Sequence, residues 1–358
     1  MEYKEYKGYK VEEGRNCIAV SPVVDFCLKH IFECGQCFRW RPSNSAYLGG
    51  AYTGSAYSGG AYSEEAYTGV AKGKSVAAVM EGDNTLILIG ADFDDFVNIW
   101  HDYFDLGTDY SVIKDFLSRD EIMREAISYG WGIRILKQDF FETLISFILS
   151  ANNRIPMIMK TVEKYCAAYG EIIPGEGGRA RGEGGDAHYD GGDVYCEGVD
   201  ARGEGRDARC EGGDAQCYGG VFKYNFPAPE IFAHLSADEL QKHGGGFRCK
   251  YITATAGMYC KNPSFLNDLK NCASNESRCI LKAFPGVGDK IADCTMLFSG
   301  LKSDVFPVDV WVRRIMGKLY LGKKTSDDEI RAFAADKFGI YSGIAQQYLF
   351  YYAREKNI

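Results

Sequence analysis

Apolar positions along the chain change their period three times. In residues 15–45, CIAVSPVVDF is strand-like, and CLKHIF then predicts a short helix. The segment VAKGKSVAAVMEGDNTLILIGA (70–91) predicts two or three strands with a turn at Gly82-Asp83-Asn84. From Asp94 the spacing becomes helical, through DFVNIWHDYFDL and YSVIKDFLSRDEIMREAISYG. QDFFETLISFILS (138–150) is so apolar that it predicts a core helix. Residues 151–170 predict another helix, with Asn152 and Asn153 at its start and Pro156 in its first turn. FPAPEIFAHLSADELQKHGGGFRCKYITATAGMYC (226–260) predicts two helices around GGGFR. Towards the C-terminus, SRCILKAF, PGVGDK, IADCTMLF and VFPVDVWVRRI read as helix, hairpin, helix, short loop and helix, and YSGIAQQYLFYYAREK as a last helix. The pattern is α+β: a sheet-bearing N-terminal domain over 1–105 and a mostly helical one over 106–358.

Two tracts fit neither period. Residues 46–70 are five pentapeptides (AYLGG, AYTGS, AYSGG, AYSEE, AYTGV), expected as an expanded surface loop between two strands whose last unit enters a strand. Its aromatics could instead stack on bases. Residues 176–217 are six Gly-rich acidic heptads without the apolar positions of a coiled coil. A disordered acidic insert is expected; calcium binding is the alternative, although the calcium repeat of β-helices has a period of nine.

Composition changes the picture in two respects. The chain of 358 residues has a net charge of −8, which taken alone argues against a nucleic-acid partner. The repeats carry that charge: removing their 13 acidic and five basic residues from the chain's 49 and 41 leaves 36 of each. Thirteen cysteines with no apolar leader point to reduced thiols and a cytoplasmic location, nucleoid-associated in a bacterium or nuclear in a eukaryote. No apolar run is long enough for a membrane helix, so no membrane partner is expected. Cys34 and Cys37 have the C-x-x-C spacing of thiol oxidoreductases, but no βαβ pattern surrounds them.

The candidate chemistry sits in the hairpin. Pro285, Gly286 and Gly288 turn the chain and expose backbone N–H groups at a helix start, an arrangement that suits an anion such as nucleic-acid phosphate or is simply a tight turn. Lys290 lies in the first turn of that helix, whose positive end disfavours an ammonium ion. Cys294 shares its face one turn on, and Asp309 precedes an apolar run as a helix cap. An amine beside a cap carboxylate can serve as nucleophile and cation stabiliser. A surface lysine and an ordinary cap satisfy the same spacing.

PGVGDKIADC followed by FPVDV resembles the helix-hairpin-helix (HhH-GPD) DNA glycosylases, and GQCFRW (35–40) narrows the likeness to the eukaryotic-type 8-oxoguanine DNA glycosylase/lyases. The resemblance implies an antiparallel, TATA-binding-protein-like sheet before the helical core. It implies Lys290 as nucleophile, Asp309 as its partner, and a base pocket of Gly35, Cys294, Gln346 and Phe350. The carbonyl matching Gly35 would pair with the N7 proton of 8-oxoguanine and repel the N7 lone pair of guanine. Asn152 would enter the space left by the flipped base, Phe247 would act as a wedge, and Arg248 would read the opposite base.

Two positions depart from the family pattern. Met157 stands where animal and yeast relatives have an arginine that reads the opposite cytosine, and Trp311 replaces a phosphate-contacting histidine. Methionine has no donors for cytosine, so opposite-base selectivity is expected to be relaxed. The resemblance implies a monomer acting on double-stranded DNA that contains oxidised guanine. It implies no cofactor and no catalytic metal; a structural cation at the hairpin carbonyls is compatible with it. No cysteine follows Cys294, so the iron–sulfur cluster of some relatives is not expected. The expected activity is that of a bifunctional glycosylase and abasic-site lyase. The alternatives are a non-catalytic helix-hairpin-helix DNA-binding protein and a glycosylase for another lesion.

Overall fold

A computed structural model describes residues 3–43, 66–173, 223–262, 264–323 and 325–358. The 176–217 heptads and most of the 46–70 pentapeptides lie outside these residues.

Seven strands form one antiparallel sheet: β1 (Tyr3–Tyr6), β2 (Tyr9–Gly14), β3 (Cys17–Ser21), β4 (Trp40–Ser43), β5 (Ala66–Ala71), β6 (Lys74–Glu81) and β7 (Thr85–Ile89), in the order β1-β2-β3-β7-β6-β5-β4. The last pentapeptide does enter a strand, β5. The first two strands are absent from the sequence reading. Tyr6 pairs with Tyr9 across Lys7 and Gly8, both at positive φ, the two-residue hairpin geometry that matches strand twist. Alternation puts Ile18, Val20, Ala78, Leu86 and Leu88 on one face. There they pack on α1 (Leu28–Glu33) and on the helical run Phe93–Tyr103, through Ile31, Phe32, Phe96 and Trp100.

The helical part begins with α2 (Tyr110–Leu117) and α3 (Glu121–Tyr129), capped by the side chains of Asp109 and Asp120. Helix α4 (Phe140–Ser150), capped by Asp139, buries nine of its residues and is the central core helix. Helix α5 (Ile155–Tyr169) has Pro156 in its first turn as expected, but its N-cap is Arg154. Asn152 is not a cap: it stands in the preceding turn at φ +50. Helices α6 (Pro229–His234) and α7 (Ala237–Gln241) precede GGGFR, and α8 (Cys249–Lys261) follows it, so two helices rather than one lead into that turn. The chain continues through α9 (Phe265–Asn271), α10 (Ser274–Lys282), α11 (Asp289–Phe298), α12 (Val310–Ile315), α13 (Asp327–Phe338) and α14 (Ser342–Lys356). No helix among the described residues is long and apolar enough to cross a membrane.

The segment 34–40 straddles the two cores. Cys34 and Phe38 belong to the helical core, Cys37 and Trp40 to the core under the sheet. Two closures frame the segments outside the described residues. Ser43 pairs with Ala66 at the end of the β4–β5 ladder, and Ile172 bridges Tyr224. The two closures are neighbours, because Val70 packs on Ile173 and Arg39 donates to the Tyr224 carbonyl.

Candidate active site

The hairpin between α10 and α11 forms as its residues dictate. Gly286 has φ +80, and a Cβ there would stand 2.8 Å from Tyr251 Cβ, so only glycine fits. Gly288 is different from expectation: its backbone is extended and open, as the N-cap of α11, and needs no glycine-only dihedral. The Thr255 hydroxyl donates to the Pro285 carbonyl at 2.9 Å, and the Val287 N–H to the Phe284 carbonyl. Those carbonyls are thus engaged within the protein.

Lys290 projects from the first turn of α11 towards α4. Its Nζ donates to Ser150 Oγ at 3.2 Å and lies 4.7 Å from the Phe147 ring centroid. Cys294, one turn on, is buried, and burial pushes its thiol up to about 12 against the opposing charge of Lys290. It is a protonated thiol, not a thiolate. Asp309 caps α12, accepting from the Val312 N–H at 2.8 Å. Burial raises its carboxyl above the usual range, while the Val312 N–H and the Lys290 ammonium pull the other way. Lys290, Cys294 and Asp309 are therefore one electrostatic group.

The GQCFRW segment meets the same aromatic through Phe38. Phe147 meets Phe38 edge-on at 5.4 Å and stacks on Phe298 at 5.4 Å. Gly35 ends α1 at φ +83, and a Cβ there would stand 3.2 Å from Cε1 of Phe350. Gln346 is one turn before Phe350 on α14; its side chain is buried, and its Oε1 has no hydrogen-bond partner. An amide oxygen in that state is an acceptor ready for a ligand donor.

A second group lies at the α4–α5 turn. Phe247 and Met157 are 57% and 53% exposed, unusual for large apolar side chains; Asn152, five residues before Met157, is exposed as well, and its carbonyl is bonded by Arg248, the neighbour of Phe247. Arg248 is buried instead. Its guanidinium donates to the carbonyls of Ala151, Asn152 and Gly245, and lies 4.4 Å from the Phe247 ring. Three successive glycines at positive φ, Gly244 to Gly246, make that turn; a Cβ on Gly245 would collide with the Tyr165 hydroxyl. Trp311 is half-buried at the start of α12, under Arg314.

The C-x-x-C pair shows no sign of redox exposure. Cys34 and Cys37 are buried, their sulfurs donate to the carbonyls of Ile31 and Phe32, and burial raises both thiols. Among the described residues, no group of three or more His, Cys, Asp or Glu side chains is disposed to hold a metal ion. Sequence reasoning missed Ser150 and Phe147, which position the lysine. Both lie on α4, some 140 residues away, and only helix packing brings them to Lys290.

Comparison with known proteins matches this arrangement. Residues 18–144 fit the family described as 8-oxoguanine DNA glycosylase, N-terminal domain, and residues 145–338 fit HhH-GPD superfamily base excision DNA repair protein. The fold superposes on the structure of MBOgg1 in complex with a low affinity DNA ligand, with 38% identity, full coverage of both chains and a TM-score of 0.77. It also superposes on the Clostridium acetobutylicum 8-oxoguanine glycosylase/lyase bound to double-stranded DNA with cytosine opposite 8-oxoG, with 34% identity, full coverage of both and a TM-score of 0.76. Among curated proteins, the probable N-glycosylase/DNA lyase of Methanothermobacter thermautotrophicus is 32% identical over 123 residues, 34% of this chain and 39% of that one. The N-glycosylase/DNA lyase OGG1 of Arabidopsis thaliana is 27% identical over 249 residues, 66% of this chain and 56% of that one. The matched region thus spans less than three fifths of the length of these curated relatives. With the N-terminal sheet region and the helical core each matched to these families and the whole fold superposing on their structures, the chain belongs to the HhH-GPD superfamily of base excision DNA repair proteins, in its 8-oxoguanine DNA glycosylase branch.

Proposed function

We propose that this protein is a bifunctional DNA glycosylase and abasic-site lyase that excises 8-oxoguanine from duplex DNA. The observation that carries the reading is Lys290, held over Phe147 and bonded to Ser150, with the buried carboxyl of Asp309 close enough to feel its charge. The base must leave the helix for its glycosidic bond to be reached. Lys290, as the free amine, attacks C1′; the C1′–N9 bond breaks, and its electron pair leaves with the base, which takes up a proton. Asp309 opposes the positive charge that develops on the sugar. The amine adduct opens to a Schiff base, loss of a C2′ proton follows, and β-elimination expels the 3′ phosphate. This chemistry uses side chains alone and needs no cofactor; a cation at the hairpin carbonyls would be structural.

Base recognition would fall to the residues gathered around Gly35. Phe350 offers a stacking face, the unpartnered Gln346 amide oxygen an acceptor, and Gly35 a backbone carbonyl. Phe247 and Asn152 are exposed, as a wedge and a space-filler would have to be. Met157 supplies no donor, and Arg248 is occupied by backbone carbonyls, which supports relaxed reading of the opposite base. The protein would act as a monomer.

Borohydride trapping tests the reading directly. A duplex with one 8-oxoguanine should give a covalent adduct with wild-type protein and none with Lys290→Gln; undamaged duplex should give none. Tight binding to the damaged duplex without an adduct would instead support a binding module or another lesion, and a panel of damaged bases would separate those.

A further inference from the structure

Four successive carbonyls close the end of α1, and three of them are held by side chains. Arg354 Nη2 donates to the Glu33 carbonyl at 2.7 Å, and Gln347 Nε2 donates to the Cys34 carbonyl at 2.6 Å. Gln138 Nε2 donates to the Gln36 carbonyl at 2.7 Å. The Gln36 side chain itself donates to the carbonyls of Ile31 and Arg134 and accepts from the Leu136 N–H. Among the described residues, no donor reaches the carbonyl of Gly35, which lies between these fastened groups.

The fastening matters because of what Gly35 would otherwise permit. A glycine at φ +83 has ready access to other dihedrals, and the peptide joining it to Gln36 could rotate. Rotation would exchange the carbonyl oxygen for the Gln36 N–H on the side facing a bound base. A carbonyl suits the N7–H of 8-oxoguanine, whereas an N–H suits the N7 lone pair of guanine. The orientation of one peptide therefore decides which base is favoured.

We propose that Gln347 and Arg354 are specificity-determining positioning residues: by holding the Cys34 and Glu33 carbonyls from α14, they keep the Gly35 oxygen turned towards the flipped base. The inference rests on the glycosylase reading above. The helix that carries Gln346 and Phe350 then also fixes the third reader, so all three move as one body. Both clamps come from the same helix: Gln347 is buried beside Gln346, and Arg354 reaches past Phe350, 5.6 Å from its ring.

The test uses the full-length protein and two duplexes, one with 8-oxoguanine and one with a preformed abasic site that has no base to read. Gln347→Leu should slow single-turnover excision of 8-oxoguanine about tenfold, the effect of one lost hydrogen bond to a fixed group. Its cleavage of the abasic duplex should stay within about twofold of wild type. Arg354→Met should behave likewise, and Arg354→Lys, which keeps a donor for the Glu33 carbonyl, should recover most of the loss. Equal losses on both duplexes would mean a merely structural role and overturn the proposal, as would unchanged excision. Wild-type protein that cleaves the abasic duplex but leaves 8-oxoguanine in place would overturn the substrate assignment itself, and the positioning role with it.

Discussion

Gly35 sits against Phe350 so closely that a Cβ would stand 3.2 Å from the ring's Cε1 and 3.5 Å from Arg354 Nη1. Both the contact and the positive φ penalise any side chain. Gly35→Ala should cost roughly 1–2 kcal/mol from the left-handed backbone alone. It should also push the Phe350 ring away from its stacking position. Excision of 8-oxoguanine should fall by about tenfold or more, with abasic-site cleavage much less affected. Single-turnover assays beside thermal denaturation would check this; a variant as active as wild type would show that the site tolerates the methyl and that the tight contact with Phe350 does not limit excision.

Asp309 has two roles that substitutions can separate. Asparagine caps helices as well as aspartate does, so Asp309→Asn should keep the bond to the Val312 N–H and change stability by less than about 0.5 kcal/mol. Asp309→Ala should lose about 1 kcal/mol as well. Excision should fall steeply in both. Because burial raises the Asp309 carboxyl, the acid limb of the wild-type rate should lie at higher pH than for an ordinary carboxylate. If Asp309→Asn excises as fast as wild type, Asp309 is only a cap.

Asp293, on the helix of Lys290, has Oδ1 2.6 Å from Arg278 Nε, while its Oδ2 is buried without a partner. Burial outweighs the arginine and moves the carboxyl up from 3.8 to about 6. The folded state therefore holds this proton more tightly than the unfolded chain. Its contribution to stability is complete below the unfolded value and is lost as pH rises through about 6. Wild type should thus gain stability relative to Asp293→Asn as pH falls from about 7 to about 4, by an amount on the order of 2 kcal/mol. Paired melting curves measure it, and a gain in the opposite direction would mean that Arg278 dominates.

Opposite-base selectivity should be weak. Excision of 8-oxoguanine opposite C, A, G and T should proceed at similar rates, and Met157→Arg should raise the preference for cytosine by about fivefold or more, the effect of one good base contact. Arg248→Ala should lower the melting temperature as well as activity, because it removes the donors to Ala151, Asn152 and Gly245. A strong cytosine preference in the wild type would sink the first expectation; an unchanged melting temperature would sink the second.

The elements that repeat a clear period were legible: α4, α11 and α14, and the strands over 70–91. The N-terminal hairpin was not, because MEYKEYKGYKVEEG is charged throughout and β1 buries none of its four residues. Its one clue was Lys7-Gly8 at a two-residue turn. Within the site, Lys290, Cys294 and Asp309 could be grouped by local spacing because α11 and α12 are close in sequence. The contacts of Lys290 with Ser150 and Phe147, and of Gly35 with Phe350, depend on how distant helices pack, and no local pattern carries them. The same holds for Arg248, whose guanidinium is bound to the turn that presents Asn152, 96 residues earlier in the chain.

The paired closures at Ser43–Ala66 and Ile172–Tyr224 bear on how this gene can change. Tandem coding repeats gain and lose whole units through copying slippage. Here the tracts begin and end beside residues already stitched together, so an added unit lengthens the path between two anchors without moving either. The entropic cost of joining two fixed points by a longer stretch of chain rises only with the logarithm of its length, about 0.6 kcal/mol for each doubling. Adding or removing a unit between either pair of anchors should therefore cost the folded body little, and the number of units can change for reasons unconnected with excision.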